Sequence, residues 1–382
     1  MSKLFVILAC LCLALFAPVQ AFAITNPLSV PNNKFGIHIL FPSELSSAAK
    51  LVNSSGGDWG YVTIPIQASD RNLQKWQAFM DQCRELHLIP ILRLATDGDY
   101  FNTSVWRQPT LTDVLDFANF LNSLTWPTKN RYVIIFNEVN RADEWGGQAD
   151  PTAYANILSF AVSAFKSKSP DFFIISSGMD NAAATTDTTY NEYTFLDDMN
   201  TAVPGIFNQV DGMASHSYPN PGFTAPPTTE TNESIDSFAY ERSLIESMSN
   251  KNLPVFITET GWSDTTIPAS VIASYYQMAF TNVWNDSDIV AVTPFLLTAG
   301  AGPFTQFSFY DASGNPTDFY TAYADLPKTA GKPLPGPEVL GIKTHITALP
   351  VDNFSNQETK DLAFSVPTAE KTMLKWFLHY NN

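Results

Sequence analysis

The chain has 382 residues, 45% of them hydrophobic and 13% aromatic, enough apolar material to bury a large core and too much for a disordered chain. Lys and Arg number 21 against 37 Asp and Glu, a formal net charge of -16 that repels phosphate backbones and anionic lipid surfaces. The balance argues against nucleic acid and membrane-surface partners.

At the start, Lys3 precedes an apolar run, Leu4 to Ala17, that is too short to span a bilayer comfortably and ends at Pro18 and the small-residue site Ala21-Phe22-Ala23. Residues 1–23 are expected to be a cleaved secretory signal, leaving a protein that is secreted, or periplasmic in a bacterium, and not held in a membrane. Cys10 and Cys12 leave with that segment, so Cys83 stands alone and no intramolecular disulfide is expected. Cys83 shares the apolar face of a helical pattern with Leu73, Trp76 and Met80, which predicts a buried structural thiol.

From Lys34 to about Asp325, short β-rich apolar runs alternate with amphipathic helical patterns. Eight runs are predicted as strands, at 35–39, 61–66, 89–94, 132–136, 172–176, 212–216, 254–258 and 289–295. Several are nearly continuous hydrophobic text, as expected where both faces of a parallel strand are covered. Thr110 with Asp113 reads as a capping box ahead of Leu111, Val114, Leu115, Ala118 and Leu121. Asp150 before Pro151 reads as an N-cap with proline at the first helical position, and Ser234 as the opening of another helix. Eight βα units in this length predict a (β/α)8 TIM barrel over residues 24–327. A doubly wound open sheet would want a Gly-rich phosphate loop after the first strand, and none is present. Residues 328–382 open with a Pro-, Gly- and Lys-rich linker or strap and continue as a tail whose role is left open.

A barrel of this kind concentrates chemistry at the carboxyl ends of its strands. The polar residues standing there are His38, Gln67, Arg93, Asn137 with Glu138, Asp180, His216 with Tyr218, and Glu259. Glu138 and Glu259 each end an apolar run, where a charge is costly unless paired or used. Strands four and seven face each other across the mouth, so the two carboxyl groups can oppose one another over a cleft. Such a pair is what glycoside hydrolysis requires, one acid for the leaving oxygen and one base or nucleophile on the far side of the sugar.

The pair Asn137-Glu138 after strand four, and Glu259 within Ile257-Thr258-Glu259-Thr260-Gly261-Trp262 after strand seven, resembles the retaining glycoside hydrolases with (β/α)8 barrels, the cellulase-like and β-glycosidase families among them. His216-Ser217-Tyr218 is similar to the His-x-Tyr of the cellulase-like families. The resemblance spans about residues 34–325. It implies that Glu138 is the acid/base and Glu259 the nucleophile, with like-charge repulsion favouring a protonated Glu138 while Glu259 is ionised. It further implies that Asn137 binds the sugar 2-hydroxyl, that Tyr218 holds Glu259, and that Arg93 or His216 keeps Glu259 ionised. Two departures stand out. Strand eight ends Pro294-Phe295-Leu296-Leu297 without the usual tryptophan, and the family's arginine usually comes from an earlier strand than the one bearing Arg93.

Other candidates are less specific. His38 is either a packing residue or a sugar contact. Trp145 and Trp262 are candidate stacking platforms, as are Tyr100, Phe101 and Trp106. Asp180 reads as a loop or cap residue, and the long segment 219–234 as a possible wall of the cleft. A metal-dependent barrel hydrolase is the chemical rival; only His38, His87 and His216 fall inside the barrel, His87 on the wrong side, and they make no ligand set, so neither metal nor cofactor is expected. A barrel that binds polysaccharide without cutting it is the remaining alternative. The abundance of aromatic rings suits a neutral carbohydrate partner, and the chain is expected to act as a monomer.

Overall fold

The computed structural model describes residues 24–97, 105–299 and 303–337. The expected signal segment with Cys10 and Cys12, the pair Tyr100 and Phe101, and the tail beyond residue 337 lie outside the described residues.

Strands and helices alternate along the chain. In order they are β1 (Gly36–His38), α1 (Leu45–Val52), β2 (Gly60–Gln67), α2 (Leu73–Glu85), β3 (Leu88–Ala95), α3 (Leu111–Asn122), β4 (Arg131–Ile134) and α4 (Pro151–Lys168). There follow β5 (Phe172–Ile175), α5 (Glu192–Ala202), the short α6 (Ile206–Gln209), β6 (Met213–His216), α7 (Ser237–Met248), β7 (Val255–Glu259), α8 (Ala269–Met278), β8 (Ile289–Val292) and α9 (Asp318–Asp325). Each strand falls on one of the eight apolar runs. The strands form parallel ladders β1 to β5 and β6 to β8. Single parallel bridges join these two sheets at both seams, Ile175 to Gly212 and Phe35 to Val292. The architecture is a (β/α)8 barrel.

Strand alternation divides the core in two. Tyr61, Ile89, Ile91, Tyr132, Ile134, Phe173, Ile175, Ala214 and Phe256 fill the barrel interior, while Val62, Ile64, Leu92, Val133, Ile174 and Ile257 face the helices. Helix α2 covers its share with Trp76, Phe79, Met80 and Cys83, all buried, so Cys83 is a packed thiol. Leu73, in the first turn, is instead exposed. In α3 the Thr110–Asp113 capping box is present and the buried face is Val114, Phe117, Ala118 and Leu121. Leu111 and Leu115 point outward, because at 3.6 residues per turn Leu115 sits about 100° round the helix from Val114. Asp150 caps α4 through Ala153 N, with Pro151 at the first position. Ser234 does not open α7; its hydroxyl orders the turn before the helix, which starts at Ser237.

The amino ends of the strands are closed off. Ile24, Leu28 and Trp59 pack against the interior cluster. Residues 328–337, the beginning of the Pro-rich segment, cross beneath the barrel as Gly331 N donates to Asp58 O (2.9 Å), Lys332 N to Pro31 O (2.8 Å) and Gly336 N to Pro127 O (3.0 Å), while Lys129 N donates to Leu334 O (2.8 Å). Among the described residues, the opposite, carboxyl end opens into a cleft.

Candidate active site

The alternation that places Ile89 and Ile91 inside the barrel continues up β3 to Arg93, the next inward position and the first at the open mouth. Burying a guanidinium there demands partners. Its Nη1 donates to Asn137 Oδ1 (2.7 Å) and to Glu259 Oε1. On β6 and β7 the pairing slips at Ser215/His216, so His216 stands opposite Glu259 rather than Thr258. After β4 the chain turns through left-handed conformations at Phe136 (φ 67°) and Glu138 (φ 36°), uncommon for side-chain-bearing residues. Glu138 N donates to Gly178 O (3.0 Å), which ties the strained turn to the end of β5.

Glu138, His216 and Glu259, all buried, bring side-chain atoms within 4.8 Å of one another, so the two carboxylates face each other as the strand positions required. Tyr218 Oη donates to Glu259 Oε2 (3.0 Å), and with Arg93 on Oε1 both oxygens of Glu259 have donors. Burial is the largest influence on the Tyr218 phenol, and the adjoining Glu259 and Glu138 add to it, so its proton is held well above the usual range.

His216 Nδ1 lies 3.0 Å from Glu138 Oε1 and 3.9 Å from Glu259 Oε2, so its direct partner is Glu138. Burial opposes charge on this imidazole, but Glu259 and the hydrogen-bonded Glu138 outweigh it and raise its proton affinity. His38 behaves oppositely: burial, then Arg93 and His216, hold it neutral. Its 3.9 Å approach to Glu259 Oε1 is therefore no ion pair, and its ring meets Phe295 edge-on at 5.1 Å. The His216 ring is seated on Gly178, where a Cβ would come within 2.2 Å of Cδ2.

Above these residues opens a cleft of about 280 Å³. One wall, from the loops after β4 and β5, carries Arg141, Glu144, Asp180 and Asn181; the other carries Phe223, Phe295, Phe304 and Phe307. Asn220 and Phe223 make segment 219–234 part of the lining. Asp180 is more than a loop residue: it lines the cleft and accepts from Arg141 Nη1 (2.9 Å), and Arg141 Nε stands 3.8 Å from Glu138 Oε2.

Trp145 and Trp262 are not stacking platforms. Both are 1% exposed and belong to the core between strands and helices. Trp145 packs edge-on to Phe136 and Tyr154, and Trp262 to Tyr276, with its Nε1 donating to Ala225 O (2.8 Å). Each anchors a loop from below. Trp106 is nearly buried too, clustered with Leu40, Tyr218 and Phe295. Arg141, Glu144, Asn181, Asn220, Phe304, Gln306 and Phe307 were not singled out in the sequence, since none sits at a strand end; the one available signal was their density of polar and aromatic residues after β4, β5, β6 and β8.

Glu138, His216 and Glu259 are also close enough to serve as metal ligands. Arg93 and Tyr218 already donate to both oxygens of Glu259, and the fixed positive charge of Arg93 opposes a cation beside it. The set is better suited to handling a proton and polarising a neutral ligand.

No protein-family model matches the chain, and no curated protein matches it in sequence. Solved structures do. A GH39 beta-xylosidase from Caulobacter crescentus superposes with a TM-score of 0.55 at 15% identity, covering 80% of this chain and 72% of that one. A GH5_18 structure from Bifidobacterium longum subsp. infantis gives 0.55 at 12% identity over 78% of each chain. A family 39 glycoside hydrolase from the gut symbiont Bacteroides cellulosilyticus WH2 gives 0.53 at 18%, covering 78% of this chain and 64% of its own length. The chain has the (β/α)8 fold of these glycoside hydrolases.

Proposed function

We propose that the protein is a retaining glycoside hydrolase that cleaves O-glycosidic bonds of an oligo- or polysaccharide by double displacement. The observation that carries this reading is the opposition of Glu138 and Glu259 within 4.8 Å at the floor of an open cleft. With one oxygen of each carboxylate inside that limit, the pair is nearer the ~5–5.5 Å separation of retaining enzymes than the ~6.5–9.5 Å of inverting ones, which supports the retaining reading.

An oxygen of Glu259 attacks the anomeric carbon while the bond to the glycosidic oxygen breaks, and Glu138 gives its proton to that oxygen. The sugar is left as an ester on Glu259. Glu138, now a carboxylate, takes a proton from water, whose oxygen attacks the same carbon and releases Glu259. Arg93 and Tyr218, each donating to one of its oxygens, fix the attacking carboxylate in one orientation. Asn137, whose Oδ1 accepts from Arg93, lines the cleft and would offer its amide N–H to the sugar 2-hydroxyl. His216 hydrogen-bonds Glu138 and would serve its proton exchange, while the charge of Glu259, 3.9 Å away, also favours a protonated imidazole. Residues 1–23 are taken as an export signal and the enzyme as secreted.

The test is hydrolysis by Glu138→Ala and Glu259→Ala across a substrate panel. Both should lose turnover, typically by ~10²–10⁴-fold where an acid–base group is removed. Azide should restore Glu259→Ala as a glycosyl azide of inverted configuration. Wild-type rates in either variant contradict the assignment. A wild-type protein that retains polysaccharide but releases no reducing ends would favour a non-catalytic binder.

A further inference from the structure

The reading above places the leaving group on the side of Glu138, because the oxygen that receives its proton departs with that group. The wall on this side is polar. Arg141 is engaged by two aspartates, Asp180 (2.9 Å) and Asp143 (3.0 Å). Glu144 lines the same wall, and no hydrogen bond or ion pair of its carboxyl is found among the described residues. Its backbone N–H donates to Arg141 O (3.2 Å), and the next residue is the buried anchor Trp145. Glu144 faces the cleft with its carboxyl, whose proton affinity burial first, then Glu138 and Asp143, raise against the opposing Arg93 and Arg141. A sugar hydroxyl can hydrogen-bond that carboxyl; an aryl or alkyl group cannot.

We propose that Glu144 is a specificity-determining residue that hydrogen-bonds a hydroxyl of the leaving-group sugar, so that the substrate is a di- or oligosaccharide and not the glycoside of an apolar alcohol. The proposal rests on the glycosidase reading. The phenylalanine wall then lies along the sugar that is transferred to Glu259, and Glu144 makes no contact with the reacting atoms.

The experiment compares wild type, Glu144→Ala and Glu144→Gln on 4-nitrophenyl glycosides of both anomeric configurations and on oligosaccharides of the same sugar. Circular dichroism checks that each variant folds. For Glu144→Ala, kcat/KM on the oligosaccharide should fall about tenfold, mostly through KM, while the 4-nitrophenyl glycoside stays within about twofold. Glu144→Gln, whose amide still donates and accepts, should recover most of the loss. An equal fall on both substrates, or none on the oligosaccharide, overturns the proposal. A wild-type enzyme that cleaves the aryl glycoside but no oligosaccharide overturns it alone; one that cleaves nothing overturns the glycosidase reading beneath it.

Discussion

His216 and Glu138 form a hydrogen-bonded pair of 3.0 Å between strands six and four, with His216 0.9 Å farther from Glu259 by the difference of 3.9 and 3.0 Å. The histidine expected from the sequence to support Glu259 lies 3.9 Å from it and also hydrogen-bonds Glu138, the proposed proton donor. His216→Ala should therefore slow substrates that need a protonated leaving group by roughly tenfold or more, and aryl glycosides with good leaving groups much less. Rates measured against leaving-group acidity check this, and a uniform loss would contradict it.

Gly178 is the seat of that ring. A methyl group there would meet His216 Cδ2 at 2.2 Å and Nε2 at 2.5 Å, with no flexible side-chain end to yield. Gly178→Ala should cost about 1–3 kcal/mol of stability and displace His216 from Glu138. Thermal unfolding should show a drop of several degrees together with the same leaving-group-dependent loss as His216→Ala. Wild-type melting and activity would mean that the turn relaxes freely.

Tyr218→Phe removes one of the two donors to Glu259 while keeping the ring against Phe223 and Phe307. Turnover should fall about ten- to a hundredfold with little change in melting temperature, the mark of an orienting contact. Steady-state kinetics beside a melting curve separates this from simple unfolding.

Behind the site, Glu241 is buried, its Oε1 accepting from Ser215 Oγ (2.8 Å) and Ser237 Oγ (2.9 Å). Burial raises its carboxyl to about 7, with the two hydroxyls and the nearby His216 only partly opposing. The folded chain thus keeps a proton that the unfolded chain loses at about pH 4.5, the ordinary value. Its contribution to stability is full below that pH, declines as the pH rises toward 7, and is flat beyond, a change on the order of 3 kcal/mol. Chemical denaturation of wild type and Glu241→Gln at several pH values should show a shallower decline in the variant. Parallel curves would contradict the assignment.

The barrel was legible because both faces of each strand are covered, one by the interior and one by helices, so strands such as 61–66 and 172–176 read as nearly continuous apolar text. Glu138, Glu259 and Arg93 were legible for a related reason: charge at the end of such a run has no ordinary packing role. The two tryptophans misled because a large ring in a loop is equally suited to stacking and to anchoring. Trp145 and Trp262 each follow a glutamate closely in sequence, yet the space below the loop claims them. The cleft walls were illegible. Glu144, Asn181 and Phe307 meet only through loop conformations that no periodicity encodes, and the role of Asp180 depends on Arg141 reaching across from the neighbouring loop.

The central claim is that Glu138 and Glu259 act on one anomeric carbon from opposite sides without an intervening water. Proton NMR of the first sugar released, before mutarotation, tests it most directly. The account expects the anomeric configuration of the substrate to be kept; release of the opposite anomer would contradict it.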